Sequence, residues 1–127
     1  ETCVSLVPEK GLLDRNRAVP FLKNNYILPL KYDYFDTADT LIFEGLKSTT
    51  VSLEHRGTRW GVRMHFAGFP MLAFWTKPNA AAPYLCIEPW HGCSAMAGEG
   101  PEFSDKAHCI VLAPGESRTL GYQVELL

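Results

Sequence analysis

The sequence predicts an all-β protein built of antiparallel strands, and three observations carry that reading. Residues 49–55 and 59–67 alternate apolar and polar side chains on either side of Arg56-Gly57-Thr58, the period-two pattern of a β-hairpin. Residues 118–126 alternate again, with Leu120, Tyr122, Val124 and Leu126 on one face. No stretch sustains an apolar period of 3.6, so no long helix is expected. The spacing of strands and turns suggests a sandwich or barrel.

Taken in order, the first 35 residues are punctuated by Pro8, Gly11, Pro20, Asn24-Asn25 and Pro29. They read as extended chain with short strands such as residues 26–28. Residues 40–44 form a short apolar strand. In the hairpin, Val51 and Leu53 share one face, opposite Thr50, Ser52 and Glu54. On its second arm Trp60, Val62, Met64 and Phe66 face one way, and Arg59, Arg63 and His65 the other. That assigns Trp60 to the core and the two arginines and His65 to a polar strand face. Residues 71–75 form a fourth strand, closed by Lys77-Pro78-Asn79, and residues 84–88 a short buried one. Pro89 lacks a donor and is expected to stop that ladder. Residues 89–105 are too long for a plain turn and form a candidate functional loop. Residues 107–112 read as a strand, and Pro114-Gly115 turns the chain into the last alternating stretch.

The chain has 127 residues, room for one domain. With 46% hydrophobic and 20% charged residues it has the makings of a packed core rather than a disordered chain. A net charge of −2 leaves no electrostatic footprint for nucleic acid or an anionic membrane, so neither is an expected partner. Apolar runs fall far short of the ~20 residues that span a bilayer. No basic segment precedes an apolar one at the start, as a signal peptide would require, and a cytoplasmic location is expected. The chain begins Glu1-Thr2-Cys3 without an initiator Met, which reads as a processed chain or a piece of a longer protein. Cysteines 3, 86, 93 and 109 lack the spacing of a stapled scaffold. Cys86, Cys93 and His91 do not form a C-x-x-C zinc pattern. Free, mostly buried thiols are expected, with no metal and no cofactor.

The stretch Tyr84-Leu85-Cys86-Ile87-Glu88-Pro89-Trp90-His91-Gly92 is the most informative for chemistry. Glu88 sits at the end of an apolar strand, where burial would raise its basicity and hydrogen bonds to the ionised form would lower it. Such tuning suits a general base. A strand-end Glu that caps a loop is the plainer reading of the same residue. Trp90 is either a stacking platform for a sugar face or a core anchor.

Cys86-Ile87-Glu88-Pro89-Trp90 followed by His91-Gly92 resembles the C-terminal signature of the aldose 1-epimerase (galactose mutarotase) superfamily, in its LacX-like branch. Phe35-Asp36-Thr37-Ala38-Asp39-Thr40-Leu41-Ile42-Phe43 resembles the family's phenylalanine, short gap, Asp and apolar strand. Leu46-Lys47-Ser48 with Val51-Ser52-Leu53, Phe69-Pro70 through Phe74-Trp75-Thr76-Lys77-Pro78, and Lys106 with Leu112-Ala113-Pro114-Gly115-Glu116 resemble further elements in the family's order. The resemblance covers roughly residues 26–127.

It implies that residues 1–127 are the C-terminal portion of a mutarotase-like β-supersandwich, with the N-terminal portion of the same protein as a partner. It implies interconversion of the α and β anomers of an aldohexose, plain or phosphorylated, by acid/base ring opening. Glu88 matches the family's general base, and Asp39, ahead of Asp36, its sugar-binding Asp. Trp90, Trp75 and His91 are the further candidate sugar contacts. The family's acid His lies in its N-terminal half, so none of His55, His65, His91 and His108 inherits that role. Trp75 divides between core and cleft, Lys106 between an internal salt bridge and the cleft, and Arg59 and Arg63 between a sugar phosphate and an exposed strand face. A non-catalytic carbohydrate-binding module of the same fold is the alternative, since family membership does not fix activity. An independent small β-sandwich with a structural role would bury its own strand faces.

Overall fold

The computed structural model describes residues 2–7, 11–22, 26–58 and 60–127, the first of these segments by its backbone alone. Its elements are β1 (Thr2–Val7), β2 (Leu12–Pro20), α1 (Tyr32–Ala38), β3 (Thr40–Glu44), β4 (Thr50–Glu54), β5 (Gly61–His65), β6 (Met71–Trp75), β7 (Cys86–Trp90), a single 3-10 turn (Phe103–Asp105) and β8 (Gln123–Leu126). All strand pairs are antiparallel. They form a five-stranded sheet in the order β2-β1-β3-β6-β7 and a three-stranded sheet in the order β4-β5-β8. The fold is all-β.

β3 and β6 lie at the centre of the larger sheet and are buried along nearly their whole length. That is why Thr-Leu-Ile-Phe-Glu and Met-Leu-Ala-Phe-Trp are near-continuous apolar runs: both of their faces are covered. Leu41, Phe43, Leu72 and Phe74 point to the smaller sheet and pack with Met64, Phe66 and the buried Phe35 of α1. Edge-to-face rings join Phe21, Phe43 and Phe74 in this layer. The alternate residues Ile42, Met71 and Ala73 point the other way, onto Leu13 of β2 and Met96. Full burial of one such side chain contributes about 1.5–3 kcal/mol, so these two layers hold the sheet together.

Several sequence expectations change here. Residues 26–28 form no strand. The opening segment instead contributes the β1–β2 hairpin, which packs Leu13 against the sheet, and the short helix α1. Helix α1 ends at Asp39, whose φ of 60° takes the chain out of helical geometry while its N–H still bonds to the Phe35 carbonyl at 2.8 Å. β7 runs two residues later than expected and continues through Pro89. It is an edge strand, where a residue without N–H is tolerated. Glu88 therefore lies mid-strand, not at a strand end.

Residues 107–112 are not a strand. Ala107 N–H bonds to the Glu99 carboxylate at 2.6 Å and Cys109 N–H to the Lys106 carbonyl at 3.1 Å, so local partners take the place of a ladder. β8 is shorter than the alternating run that contains it. Trp60 is not core: it is 78% exposed, just ahead of β5. Cys86, Cys93 and Cys109 are free, and half-buried rather than mostly buried. The expected turn at Asn24-Asn25 and the residue Arg59 lie outside the described residues, as does the side chain of Cys3.

Candidate functional site

The strand registers place three of the candidate residues, Trp75, Glu88 and Trp90, on one face, while Asp39 and His91 lie just outside the ladders. Thr40 pairs with Trp75 and Trp75 with Cys86; Ile42 pairs with Ala73 and Ala73 with Glu88; Glu44 pairs with Met71 and Met71 with Trp90. Paired residues in an antiparallel ladder share a face. One face of the larger sheet thus carries Thr40, Trp75, Cys86, Glu88, Trp90 and Glu44 around an apolar floor of Ile42, Met71 and Ala73.

Glu88 and Trp90 stand two apart on β7. The Trp90 indole Nε1–H donates to Glu88 Oε2 at 3.0 Å. The indole fixes one carboxylate oxygen, the other has no side-chain donor among the described residues, and both residues are half-buried. Trp75, at the end of β6, is half-buried with its ring 5.9 Å from that of Tyr84, tilted by 47°. It joins the same face, in register with Thr40 and Cys86. Asp39 precedes the first residue of β3, and its Oδ2 accepts the Thr40 hydroxyl at 2.8 Å. By strand spacing its backbone is about 14 Å from that of Glu88, too far for the two carboxylates to meet one atom. Asp36 is committed elsewhere: its Oδ1 accepts the Asn79 N–H at 2.7 Å and ties α1 to the loop after β6.

His91 leaves β7 into the long loop. Its Nδ1 is 2.8 Å from the His108 carbonyl oxygen, which only accepts, so Nδ1 carries the proton. The loop crosses back to β2, where Leu13 N–H bonds to the Ala95 carbonyl at 3.0 Å and Ala97 N–H to the Leu13 carbonyl at 2.7 Å. A shallow cleft at the start of this loop is lined by Phe69, Pro89, Trp90, His91, Gly92 and Leu120, among others.

The same face carries a cluster that the sequence did not reveal. Arg15 of β2 donates to Glu44 through Nε at 2.8 Å, and His108 Nε2 approaches the same carboxylate at 2.6 Å. The Arg15 guanidinium beside Glu44, with His108, holds its carboxyl down at about 2. The thiol of the neighbouring Cys93 is pushed up by burial and by the Glu99 and Glu44 carboxylates. Glu99 is held below the usual carboxylate range by the Met96 and Ala107 N–H groups and by Lys106, whose Nζ is 3.2 Å away. Lys106 therefore forms a salt bridge. The signal for Glu44 was its place in β3, on the face shared by Thr40 and Ile42. His108 gave none beyond its residue type.

The remaining candidates stay on the smaller sheet or on solvent. Arg63 bonds to Ser52 and Glu125, and His65 to Thr50, all on its polar face. His55 is exposed. Among the described residues no three His, Cys, Asp or Glu side chains gather as a metal site, and no helix is long and apolar enough to cross a membrane.

The chain is 35% identical over 120 residues to two proteins of Lactococcus lactis subsp. lactis, the plasmid-encoded and the chromosomal Protein LacX. The matched region is 94% of this chain and 40% of each relative. The chain thus spans about two fifths of the length of the curated relatives it matches. That similarity supports a LacX-like relationship. No family model matches the sequence, and no solved structure matches it.

Proposed function

We propose that residues 1–127 work as the C-terminal portion of a longer LacX-like polypeptide with a mutarotase-like supersandwich, which binds an aldohexose and interconverts its anomers. The observation that carries this reading is the Glu88–Trp90 pair: a half-buried carboxylate with one oxygen fixed by an indole N–H and the other left for a substrate proton. In this reading Glu88 takes the proton from the C1 hydroxyl, the ring opens as its oxygen is protonated by an acid outside these residues, and C1–C2 rotation precedes reclosure. A carboxylate suits a step that removes a proton and returns it. Trp75 and Trp90 offer ring faces to the sugar, and Asp39 and His91 accept its hydroxyls, the usual pairing of apolar platforms with a few polar groups. The sequence resemblance and the LacX relatives support the assignment.

The test is NMR magnetisation exchange between α and β anomers of galactose, glucose and glucose 6-phosphate, on the longer polypeptide and on its Glu88→Gln variant. Removing a general base is expected to lower exchange by about 10²–10⁴-fold with sugar affinity nearly kept. Unchanged exchange in the variant takes Glu88 out of the mechanism. Sugar binding without exchange in either protein establishes a carbohydrate-binding module instead.

A further inference from the structure

Three contacts run in series across the site face. Arg15 grips Glu44, Glu44 accepts from His108, and the His108 backbone carbonyl accepts from His91. Their protonation states follow from the partners. The Glu44 carboxylate only accepts when ionised, so His108 Nε2 carries a proton; the His108 carbonyl only accepts, so His91 Nδ1 carries one. His91 Nε2 has no partner among the described residues, and His91 lines the cleft beside Trp90. His108 also holds a φ of 58°, a left-handed conformation that a residue with a Cβ seldom adopts. Such an outlier persists where the surroundings over-determine it. At His108 the ring is held by Glu44 and the carbonyl meets His91 Nδ1.

We propose that Arg15, Glu44 and His108 are positioning residues that fix His91 as its Nδ1–H tautomer, so that Nε2 accepts a hydrogen bond from a hydroxyl of the sugar held beside Glu88 and Trp90. The proposal rests on the sugar-site reading above. It explains why a histidine, and not an amide or hydroxyl residue, follows Trp90: with one nitrogen anchored to a carbonyl, an imidazole presents a single acceptor on the opposite side of the ring. An unanchored imidazole would present either tautomer.

The experiment is long-range ¹H–¹⁵N correlation of the histidine rings in the 127-residue chain, above the pH at which they protonate. The variants are His108→Gly and Glu44→Gln. His108→Gly keeps the backbone carbonyl and suits the left-handed φ while it removes the ring contact to Glu44, and Glu44→Gln tests that contact with the His108 backbone unaltered. The wild type is expected to show a protonated Nδ1 and a bare Nε2 at His91, and both variants a mixture with Nε2–H. In the longer polypeptide, both variants are expected to raise KM for the sugar about five- to tenfold, the loss of one hydrogen bond, with kcat nearly unchanged.

An Nε2–H tautomer in the wild type, or an Nδ1–H tautomer untouched in both variants, overturns the positioning chain. If the tautomers behave as expected but sugar leaves the His91 Nε2 resonance unmoved while Glu88→Gln still abolishes exchange, the role of His91 fails and that of Glu88 stands. If the polypeptide neither binds nor exchanges any sugar, the underlying reading fails and the proposal with it.

Discussion

At the scale of single residues, Glu44 is the most strongly perturbed acid of the site face. Its carboxyl is held at about 2, first by the Arg15 hydrogen bonds and then by His108, against an ordinary 4.5. A group whose pKa is depressed by folding stabilises the fold where it is ionised in both states. That contribution is fully present above about pH 4.5 and fades as the pH falls toward 2. Because Arg15 is half exposed, solvent screening reduces it to about 2 kcal/mol. Urea unfolding is therefore expected to show Glu44→Gln less stable than wild type by about that amount at pH 6, with the difference shrinking below pH 4.5 and closing only near pH 2. Parallel curves over this range would place the acid sensitivity elsewhere. Glu88 and Trp90 stood out in the sequence by their neighbours and by the family signature they resemble. Their contact did not, because Pro89 between them reads as the end of the strand that in fact carries both. The Glu44 cluster was not legible, because its partners lie 29 and 64 residues away and only the sheet order brings them together.

At the scale of elements, legibility followed burial. β3 and β6 were read to the residue because an apolar run covered on both faces has no other reading between turns. The run at 107–112 looked similar, yet its backbone partners are Glu99 and its own loop, which no pattern within the run records. β2 was missed because its middle, Asp14 to Arg17, is charged or polar at every position although Leu13 beside it is fully buried. The β4–β5 hairpin has a tighter requirement than its alternation suggests. A Cβ at Gly61 would stand 2.8 Å from the Leu53 carbonyl oxygen and 3.2 Å from Glu54 Cγ. The carbonyl belongs to the ladder itself, where Leu53 pairs with Val62 and Glu54 with Gly61, so it moves only if the hairpin opens. Gly61→Ala is expected to destabilise the protein by about 1–3 kcal/mol, with faster amide exchange confined first to β4 and β5. A variant as stable as wild type would mean that the strands separate there without cost.

At the scale of the whole molecule, the smaller sheet has two unlike faces. Thr50, His65 and Gln123 share one face with Ser52, Arg63 and Glu125; Val51, Met64 and Val124 share the other with Leu53, Val62 and Leu126. An antiparallel sheet divided in this way has its apolar side against something. The core reaches only part of it: Met64 is buried, while Val124 is 51% and Leu126 84% exposed. Next to that face, a cleft of about 740 Å³ opens between the sheets among Leu22, Leu28, Phe43, Phe74 and Ile87. The reading as an independent small sandwich calls for both to be closed by the chain's own residues. The proposal that this chain works within a longer polypeptide, as its two-fifths share of the LacX relatives suggests, gives the bare face a cover. It also predicts that one substitution has two different costs. Leu126→Ser and Trp60→Ser alter side chains that face solvent in the 127-residue chain, where each is expected to change unfolding free energy by less than about 0.5 kcal/mol. In the longer polypeptide the same side chains would be buried, and each substitution is expected to cost about 1.5–3 kcal/mol. Chemical denaturation of both proteins and both variants gives the comparison. Equal, small costs in the two settings would show that this face stays in water, and the sandwich would then be completed somewhere else or not at all.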